Sequence, residues 1–471
     1  MGMGVGRTAE ADRDASAETA DTLAGAESSH ATREAHAPAR QEAASVAEML
    51  GPAIEGLFGE PAVEIRFWDG SSVGRRDGPG QIRVNSIDAV RRLVWSPDQL
   101  GLARGFVSGE LDVTGCVEEM LRALDAASHR SRREQAAAVP KLIAAVHRLG
   151  GIGGSPPPAP AEEFVPRGRL HSLRRDKQAI SHHYDVGNRF YELVLGSAMT
   201  YSCARFVDDD TTLADAQAAK HDLICRKLGL AEPAVAARSA TGRPRLLDVG
   251  CGWGSMAMHA ATAYDVDVVG VTISEEQASS ARRRVHDAGL DDRVEIRVQD
   301  YREITDGPFD AISSIGMSEH VGSNRLDTYY EQLHGLLRPG GRLLNHAISK
   351  IGGSKLGHRT FVYRYVFPDG ELIDVGDSIL AMERVGFEIR DVENLREHYA
   401  TTLRHWVANL ESNWDEAVEQ VGERRARVWL LYMSGSINGF LDGELQLHQV
   451  LGVRPLPDGT SDVPSTRRGW N

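Results

Sequence analysis

Short apolar runs alternate with amphipathic segments along the C-terminal two thirds of the chain, and this alternation predicts strands separated by helices. Apolar runs bounded by glycine are typical of strands, and apolar residues three and four apart are typical of helices. The predicted strands are RPRLLDVG, VDVVGVTI, VEIRVQD, FDAISSIGM and RLLNHAIS, in that order. Because strands that alternate with helices form parallel sheets, we predict an α/β fold with a doubly wound, mostly parallel, Rossmann-like sheet over residues 166–455.

A smaller and more mixed pattern precedes this region. Residues 46–150 contain amphipathic segments and a strand that turns at Asp69-Gly70, which together predict a small N-terminal α+β domain. Residues 151–165 are rich in glycine and proline and predict a linker. Residues 1–45 have few large apolar side chains and predict a disordered segment, with a long solvated helix as the alternative. Residues 456–471 remain as a C-terminal tail.

Composition and charge narrow the classes of partner. The formal net charge of -14 argues against nucleic acid, because proteins that bind a polyanion normally carry a basic excess. An acidic chain can still bind anionic lipid through a local basic patch, and one basic run is present, although a solvated face explains it equally well. An acidic acyl carrier protein would be repelled outside that run, which favours a phospholipid. The run consists of Arg167, Arg169, His171, Arg174, Arg175 and Lys177.

Cysteine usage and hydropathy point to a cytoplasmic protein. The four cysteines show no CxxC spacing, so neither a zinc site nor a disulfide framework is predicted. His182-His183 and Asp185 resemble part of a metal site, but no further ligand stands at a useful spacing and no metal is predicted. The sequence contains neither an apolar signal core nor a run of the roughly 20 apolar residues that a transmembrane helix needs.

A glycine-rich turn, DVGCGWG, runs from Asp248 to Gly254 between the first predicted strand of the sheet and a helix. Glycines allow a tight turn and let a ligand approach the backbone. A nucleotide-binding dehydrogenase would also place a turn here, usually as GxGxxG with an acidic residue ending the next strand, but that strand ends in Gly270-Val271-Thr272. Asp248 suits a nucleoside that bears an amino acid. The remaining alternative is a packing turn without a ligand.

At these residues the chain resembles the cyclopropane-fatty-acyl-phospholipid synthase family, which includes the mycolic acid cyclopropane synthases and the actinobacterial enzymes that make methyl-branched fatty acids. The resemblance implies an S-adenosylmethionine (SAM)-dependent methyltransferase domain over residues 166–455, preceded by a lipid-contacting domain. The matching segments are ISHHYDVGNRFYELVL (180–195), MTYSCARF (199–206), LLDVGCGWGSMA (246–257), VVGVTISEEQ (268–277), QDYRE (299–303), IGMSEHVG (315–322), LLRPGGRLLNHAIS (336–349), YVFPDGEL (365–372), REHYATTLRHW (396–406) and LQLHQVL (445–451).

The resemblance also implies residue roles. In this family the YSC motif, the glycine-rich loop and polar residues after the second strand hold SAM, and a bicarbonate ion lies beside the path of the methyl group. The SAM-binding residues carry over to Tyr201, Ser202, Asp248, Gly250, Gly252, Thr272, Gln277 and Tyr301. The catalytic, bicarbonate-binding set carries over to Cys203, Glu319, His320 or His346, the backbone of Ile348, and Tyr399.

Several of these residues have simpler structural explanations. Cys203 fits a small buried apolar group, His346 a core histidine with satisfied hydrogen bonds, and Tyr399 a packing residue. One departure from the family motif is Ser318, where an aromatic residue is common, and it bears on which product forms.

The chemistry that the resemblance implies explains the residue types. An alkene attacks the methyl group of a sulfonium without prior loss of a proton, so the site must exclude water, stabilise a carbocation and later accept a proton. Tyr399 and Trp406 are aromatic side chains that can face such a cation. Loss of a proton from the new methyl group closes a cyclopropane, whereas loss from the adjacent chain carbon leaves an exocyclic or shifted double bond.

We therefore expect methyl or methylene transfer to the cis double bond of an unsaturated phospholipid, giving a cyclopropane or a methylene or methyl-branched (10-methyl type) fatty acid. The enzyme would act peripherally at the inner face of the cell membrane. A homodimer and a downstream reductase are partners that the resemblance allows. The alternatives are a small-molecule O- or N-methyltransferase on the same fold, and a non-catalytic lipid-binding protein.

Overall fold

The computed structural model describes residues 44–96, 98–127, 131–151, 155–164, 186–237, 239, 242–352, 360–368 and 370–470. The predicted disordered segment, the basic run from Arg167 to Lys177, and His182, His183 and Asp185 lie outside these residues, apart from the last two positions of the segment.

A four-stranded sheet forms the N-terminal part, in the strand order β2-β1-β3-β4. The turn at Asp69-Gly70 joins β1 to β2 as an antiparallel hairpin, with Gly70 at a φ of 85°, so the predicted turn is confirmed. The strands are β1 (Glu64–Phe67), β2 (Ser72–Val73), β3 (Gly80–Val84) and β4 (Leu111–Gly115). The helices are α1 (Val46–Phe58), α2 (Ile87–Trp95), α3 (Gln99–Val107), α4 (Val117–Ala127) and α5 (Arg132–Arg148).

A larger, mostly parallel sheet follows, in the order β11-β12-β9-β8-β5-β6-β7, with β10 paired to β9. All five strands predicted for this region are present as β5 to β9, which confirms the α/β fold class. Only β12 runs antiparallel to its neighbours β9 and β11. The strands are β5 (Arg245–Val249), β6 (Asp267–Thr272), β7 (Val294–Val298), β8 (Phe309–Ile315), β9 (Leu337–Lys350), β10 (Ile373–Asp374), β11 (Glu388–Asn394) and β12 (Leu445–Val453).

Helices cover this sheet and continue beyond it. They are α6 (Asn188–Leu195), α7 (Leu213–Lys227), α8 (Pro233–Ala236), α9 (Ser255–Tyr264), α10 (Glu275–Asp287), α11 (Ser318–Val321), α12 (Leu326–Leu336), α13 (Phe361–Tyr365), α14 (Val375–Arg384), α15 (Arg396–Ser412), α16 (Trp414–Val421) and α17 (Glu423–Leu441). The Ser274 hydroxyl caps α10 by accepting from the Gln277 backbone. The Gln277 side chain bonds to Thr272 rather than completing the capping box that its spacing suggests.

One hydrophobic core joins the two sheets. It extends from Val46 and Phe67 to Tyr399 and Leu447, so α1 to α5 pack on the same apolar cluster as α15 and α17. Ion pairs reinforce this contact: Arg404 reaches Glu118 at 2.6 Å, and Arg427 reaches Asp112 at 2.5 Å.

The predicted linker and tail are tied to the body of the protein where the structure describes them. Glu163 pairs with Arg104 at 2.7 Å, and the backbone N–H of Phe164 donates to the carbonyl of Arg364. Trp470 in the tail is buried against the core beneath β5 and β6. The described parts of the linker and of the tail are therefore both held against the rest of the protein by side-chain and backbone contacts. Neither described part forms a strand.

Candidate active site

The glycine-rich turn forms one wall of a cavity at the carboxyl ends of β5, β6 and β8, where parallel sheets bind their ligands. Gly250 and Gly252 have φ values of 77° and 54°, a backbone region that favours glycine. A Cβ added at Gly250 would lie 2.4 Å from Sδ of Met317, so a side chain would also collide there. All eight residues predicted to bind SAM line this cavity: Tyr201, Ser202, Asp248, Gly250, Gly252, Thr272, Gln277 and Tyr301.

Hydrogen bonds hold the YSC loop against the glycine-rich turn, although the two are distant in sequence. The Ser255 hydroxyl, at the start of α9, donates to the carbonyl of Ala198 at 2.7 Å. The Gln217 amide on α7 donates to the carbonyl of Ser202 at 2.8 Å. These contacts explain how Tyr201 and Ser202 come to line the same cavity as the loop after β5.

Asp248, the second-last residue of β5, brings a buried carboxyl group to the lining of the cavity. The Ser313 hydroxyl donates to its Oδ1 at 2.7 Å, while Oδ2 has no hydrogen-bond partner among the described residues. Burial raises the pKa of this carboxyl to about 6, although the Ser313 bond and the charge of Lys220 act in the opposite direction. A buried acceptor of this kind suits the amino or hydroxyl group of a ligand.

Lys220 is a residue of this cavity that the sequence reasoning missed. It is fully buried on α7, and its Nζ donates to the Ser202 hydroxyl at 2.9 Å. Burial lowers the pKa of its ammonium group to about 7. A sequence signal was available, because Lys220 stands on the same helix face as the buried Ala216, Leu223 and Ile224. A lysine on an apolar face is rarely fully buried without a specific partner.

A second and larger cavity, of about 1420 Å³, lies beyond the first. It is lined by apolar side chains from both sheets: Leu50, Ile54, Ile65, Phe67, Ile82, Val84, Ala103, Phe106 and Leu111 on the N-terminal side, and Leu403, Leu431, Leu445 and Leu447 on the other. All six predicted catalytic residues line it as well: Cys203, Glu319, His320, His346, Ile348 and Tyr399.

The two cavities meet at a small set of shared residues. Tyr201, Ser202, Gly316 and His320 line both of them. A group bound in the first cavity can therefore face a chain bound in the second across this junction.

Glu319 and His346 line the larger cavity, and each has a buried polar atom. The backbone N–H of Ile348 donates to Oε1 of Glu319 at 2.7 Å, while Oε2 of Glu319 and Nε2 of His346 have no partner within the described part of the chain. Burial raises the pKa of Glu319 to about 7 and lowers that of His346 well below its usual range. The Gln449 amide lies 3.3 Å from Nδ1 of His346, so with Nδ1 accepting, the proton of the neutral ring sits on Nε2.

The remaining predicted catalytic groups are neutral. The Cys203 thiol is fully buried and donates to the carbonyl of Ala204 at 3.1 Å, and burial raises its pKa above the usual range. Burial lowers the pKa of His320 to about 4. Apart from Glu319, none of the six predicted residues therefore brings a charge to the cavity at neutral pH.

Aromatic rings surround the junction, but not all those that the sequence suggested. Tyr201, Tyr399 and Tyr432 line the larger cavity, and the Tyr201 hydroxyl donates to that of Tyr432 at 3.3 Å. Trp406 was expected to face the cation, and this is wrong: it is fully buried behind Tyr201 and Tyr399, at 5.3 and 6.1 Å between ring centroids, and lines neither cavity. Ser318 is buried and also lies outside both linings.

Membrane-spanning helices and metal-binding clusters are both absent from the described residues. None of the helices there combines the length and the apolar character required to cross a bilayer. No group of three or more His, Cys, Asp or Glu side chains in the described ranges is arranged to hold a metal ion.

Comparison with known proteins agrees with this geometry. The family model for mycolic acid cyclopropane synthetase matches residues 171–450. A probable fatty acid methyltransferase of Mycobacterium tuberculosis is 40% identical over 432 residues, which cover 89% of this chain and 97% of that protein. The cyclopropane-fatty-acyl-phospholipid synthase of Escherichia coli is 38% identical over 297 residues, which cover 62% of this chain and 72% of that protein.

Solved structures give the same result. The cyclopropane synthase MmaA2 of Mycobacterium tuberculosis aligns with a TM-score of 0.54 and 31% identity, covering 60% of this chain and 99% of that one. The mycolic acid cyclopropane synthase CmaA1, complexed with SAH and CTAB, aligns with a TM-score of 0.53 and 33% identity, covering 58% and 97%. The chain therefore belongs to the mycolic acid cyclopropane synthetase family, and it is a SAM-dependent methyltransferase of the kind that modifies fatty acyl chains.

Proposed function

We propose that this enzyme transfers a methyl or methylene group from SAM to the cis double bond of an unsaturated acyl chain carried by a phospholipid, at a membrane surface. The observation that carries the proposal is the junction between the two cavities. The polar cavity behind the glycine-rich turn suits SAM, and the large cavity that it meets at Tyr201 and His320 is lined mostly by apolar side chains. A polar small molecule would leave that lining without a function.

The neutral state of the site suits an alkene as the nucleophile. SAM supplies the methyl group: the π electrons form a bond to its methyl carbon as the C–S bond breaks, which leaves a carbocation on the chain. No base is needed before this step, and the protonated Cys203 thiol and the neutral His320 are consistent with that. The faces of Tyr201 and Tyr399 can stabilise the cation, and the buried apolar walls exclude the water that would otherwise trap it.

The polar atoms of Glu319 and His346 fit a bicarbonate ion. Both residues line the cavity, each has a buried polar atom without a partner in the described ranges, and a neutral His346 with its proton on Nε2 can donate to an anion. We propose that Cys203, Glu319, His346, Tyr399 and the backbone of Ile348 hold it. When bound, bicarbonate would supply a proton acceptor beside the chain. A protonated Glu319 donates to such an anion, whereas an ionised one repels it.

Substrate class is tested by offering the purified enzyme a panel of acceptors and measuring SAM-dependent release of S-adenosylhomocysteine. The panel contains dioleoyl phospholipid vesicles, oleoyl-acyl carrier protein, free oleate, and phenol and amine acceptors, with the saturated distearoyl phospholipid as the matched control. We expect turnover with the dioleoyl lipid and none with the distearoyl lipid. Turnover confined to a phenol or amine would instead indicate an O- or N-methyltransferase.

The type of product is tested with SAM that carries a trideuterated methyl group. A cyclopropane or an exocyclic methylene keeps two deuterium atoms, and proton NMR separates the two. The exocyclic carbon is the transferred methyl carbon itself, so its third deuterium must leave from that group; this corrects the expectation that an exocyclic double bond forms by proton loss from an adjacent chain carbon. A shifted double bond keeps all three, because the proton leaves a chain carbon. An enzyme that makes methyl-branched chains would yield one of the unsaturated products and require a reductase to complete the branch.

A further inference from the structure

We propose that helix α5 (Arg132–Arg148) docks the enzyme on an anionic phospholipid bilayer and forms the rim through which an acyl chain enters the large cavity. The inference rests on the proposed function for the identity of the substrate, but the docking itself is measured independently of catalysis.

Helix α5 lies at the protein surface and also lines the large cavity. Ala136 and Val139 line the cavity and are also exposed to solvent. Gln135 and Leu142, on the inner side of the helix, line the cavity as well. Ala136 and Val139 therefore connect the exposed surface of α5 with the apolar lining of the cavity.

The outer face of α5 carries exposed apolar side chains. Val139 and Ile143 are 37% and 42% exposed, and they stand four residues apart, on the same side of the helix. Pro140 and Ala144 continue the exposed apolar surface. The inner face packs against α1, with Leu142, Ala145 and Val146 buried in the core. Apolar side chains exposed beside basic ones are the combination by which a helix binds the interface of an anionic bilayer.

The charge of α5 is opposite to that of the whole chain. The helix contains four Arg or Lys residues and a single acidic residue, Glu134, in a chain with 53 basic and 67 acidic residues. Glu134 is occupied in capping the helix, since its carboxylate accepts from the backbone N–H of Ser131 at 2.9 Å. Arg133, Lys141 and Arg148 are exposed beside the apolar residues, so their ammonium and guanidinium groups can reach lipid phosphates while Val139 and Ile143 enter the acyl boundary.

The docking is tested with the full-length enzyme and sedimented vesicles, without SAM. We expect the wild type to partition onto dioleoylphosphatidylglycerol vesicles and much less onto dioleoylphosphatidylcholine vesicles. The variants Val139→Ser/Ile143→Ser and Arg133→Gln/Lys141→Gln/Arg148→Gln should each lower the partition coefficient on anionic vesicles by about tenfold or more. Both should keep the wild-type affinity for S-adenosylhomocysteine, which reports an intact fold.

Matched controls carry the same substitutions elsewhere on the surface. Val207→Ser/Leu380→Ser replaces two apolar residues that are more exposed than those of α5, and Arg283→Gln/Arg424→Gln/Arg468→Gln removes three exposed charges. We expect partition within about twofold of the wild type for both controls. Equal losses in the controls and the α5 variants, or a wild type without preference for anionic vesicles, would overturn the docking surface.

Failure of the docking and failure of the proposed function have different signatures. Partition that depends on α5, without methylation of any phospholipid, supports the docking and contradicts the proposed substrate. Methylation of phospholipid that the α5 variants leave intact on vesicles contradicts the docking alone. If the α5 variants lose turnover of oleoyl-acyl carrier protein but keep vesicle partition, the helix binds the carrier protein and the bilayer proposal is wrong.

Discussion

Lys220 is a fully buried lysine that lines the cofactor cavity, and burial lowers the pKa of its ammonium group to about 7. Its Nζ donates to Ser202, and its positive charge lowers the pKa of Asp248, against the effect of burial. It therefore positions Ser202 and, in its protonated form, adds a positive charge to a cavity that must bind a carboxylate-bearing nucleoside. The family motifs did not include this residue, because its role depends on α7 packing beside the YSC loop.

Replacing Lys220 by methionine should raise the KM for SAM by about tenfold or more, since a hydrogen bond to a charged group is worth roughly 1.5–3 kcal/mol. Lys227→Met is the matched control: Lys227 is a buried lysine on the same helix, but it pairs with Asp391 at 2.8 Å, away from the cavity. That variant should lower the melting temperature and leave the KM for SAM unchanged. Equal effects of the two variants on KM would contradict the role of Lys220.

Glu319 predicts a pH dependence of stability. Burial raises its pKa from 4.5 to about 7, so the fold favours the protonated form. The contribution of the protonated Glu319 carboxyl to the free energy of unfolding is complete below the ordinary pKa of 4.5. It is lost as the pH rises through about 7. Glu319→Gln cannot ionise. The melting temperature of this variant, relative to that of the wild type, should therefore be higher at about pH 8 than at about pH 5.

The control for this measurement is Glu276→Gln, which changes an exposed carboxylate on α10. Its melting temperature should differ from that of the wild type by the same amount at both pH values. If the difference in melting temperature between Glu319→Gln and the wild type is also the same at both pH values, the Glu319 carboxyl is ionised at both. The site would then not be neutral.

Among the elements, apolar runs in the sequence were sufficient to predict the central strands of the large sheet but not the edge strand β11. The runs that predict β5, β6, β8 and β9 are apolar because both faces of a central parallel strand are buried. The edge strand β11, EIRDVEN, carries four charged residues, and its one buried position is Asp391, so its pattern hides it. Its antiparallel partner β12 was visible as the motif LQLHQVL, but its direction depends on the long excursion through α15 to α17.

Helix α3 supplies a test of the cavity at this scale. Ala103 lines the large cavity from the N-terminal side and is 4% exposed, so Ala103→Phe would place a ring where an acyl chain is proposed to lie. We expect kcat/KM for dioleoyl phospholipid to fall by about tenfold or more, with unchanged affinity for S-adenosylhomocysteine. Ala263→Phe adds the same ring at an exposed position of α9 and should have no effect. Unchanged turnover with Ala103→Phe would show that the acyl chain does not lie beside Ala103.

At the scale of the whole molecule, the residues of the site could be predicted from sequence motifs, but the cavity could not. The motifs identified fourteen residues, and all of them line one or both of the two cavities. The large cavity lies where α3 and α4 pack against α17, and the ion pair of Glu118 on α4 with Arg404 on α15 joins residues that lie 286 positions apart. Sequence patterns report local periodicity, and they carry little information about which distant faces meet.

We propose that a double bond inside the large cavity receives the methyl group across the junction formed by Tyr201 and His320. Carbon-13 NMR of dioleoylphosphatidylglycerol, after incubation with enzyme and SAM labelled in its methyl carbon, tests this transfer. We expect the label on, or bridging, the former double-bond carbons of the acyl chain. Label on the head group, or on a polar molecule with the chain unchanged, would contradict it.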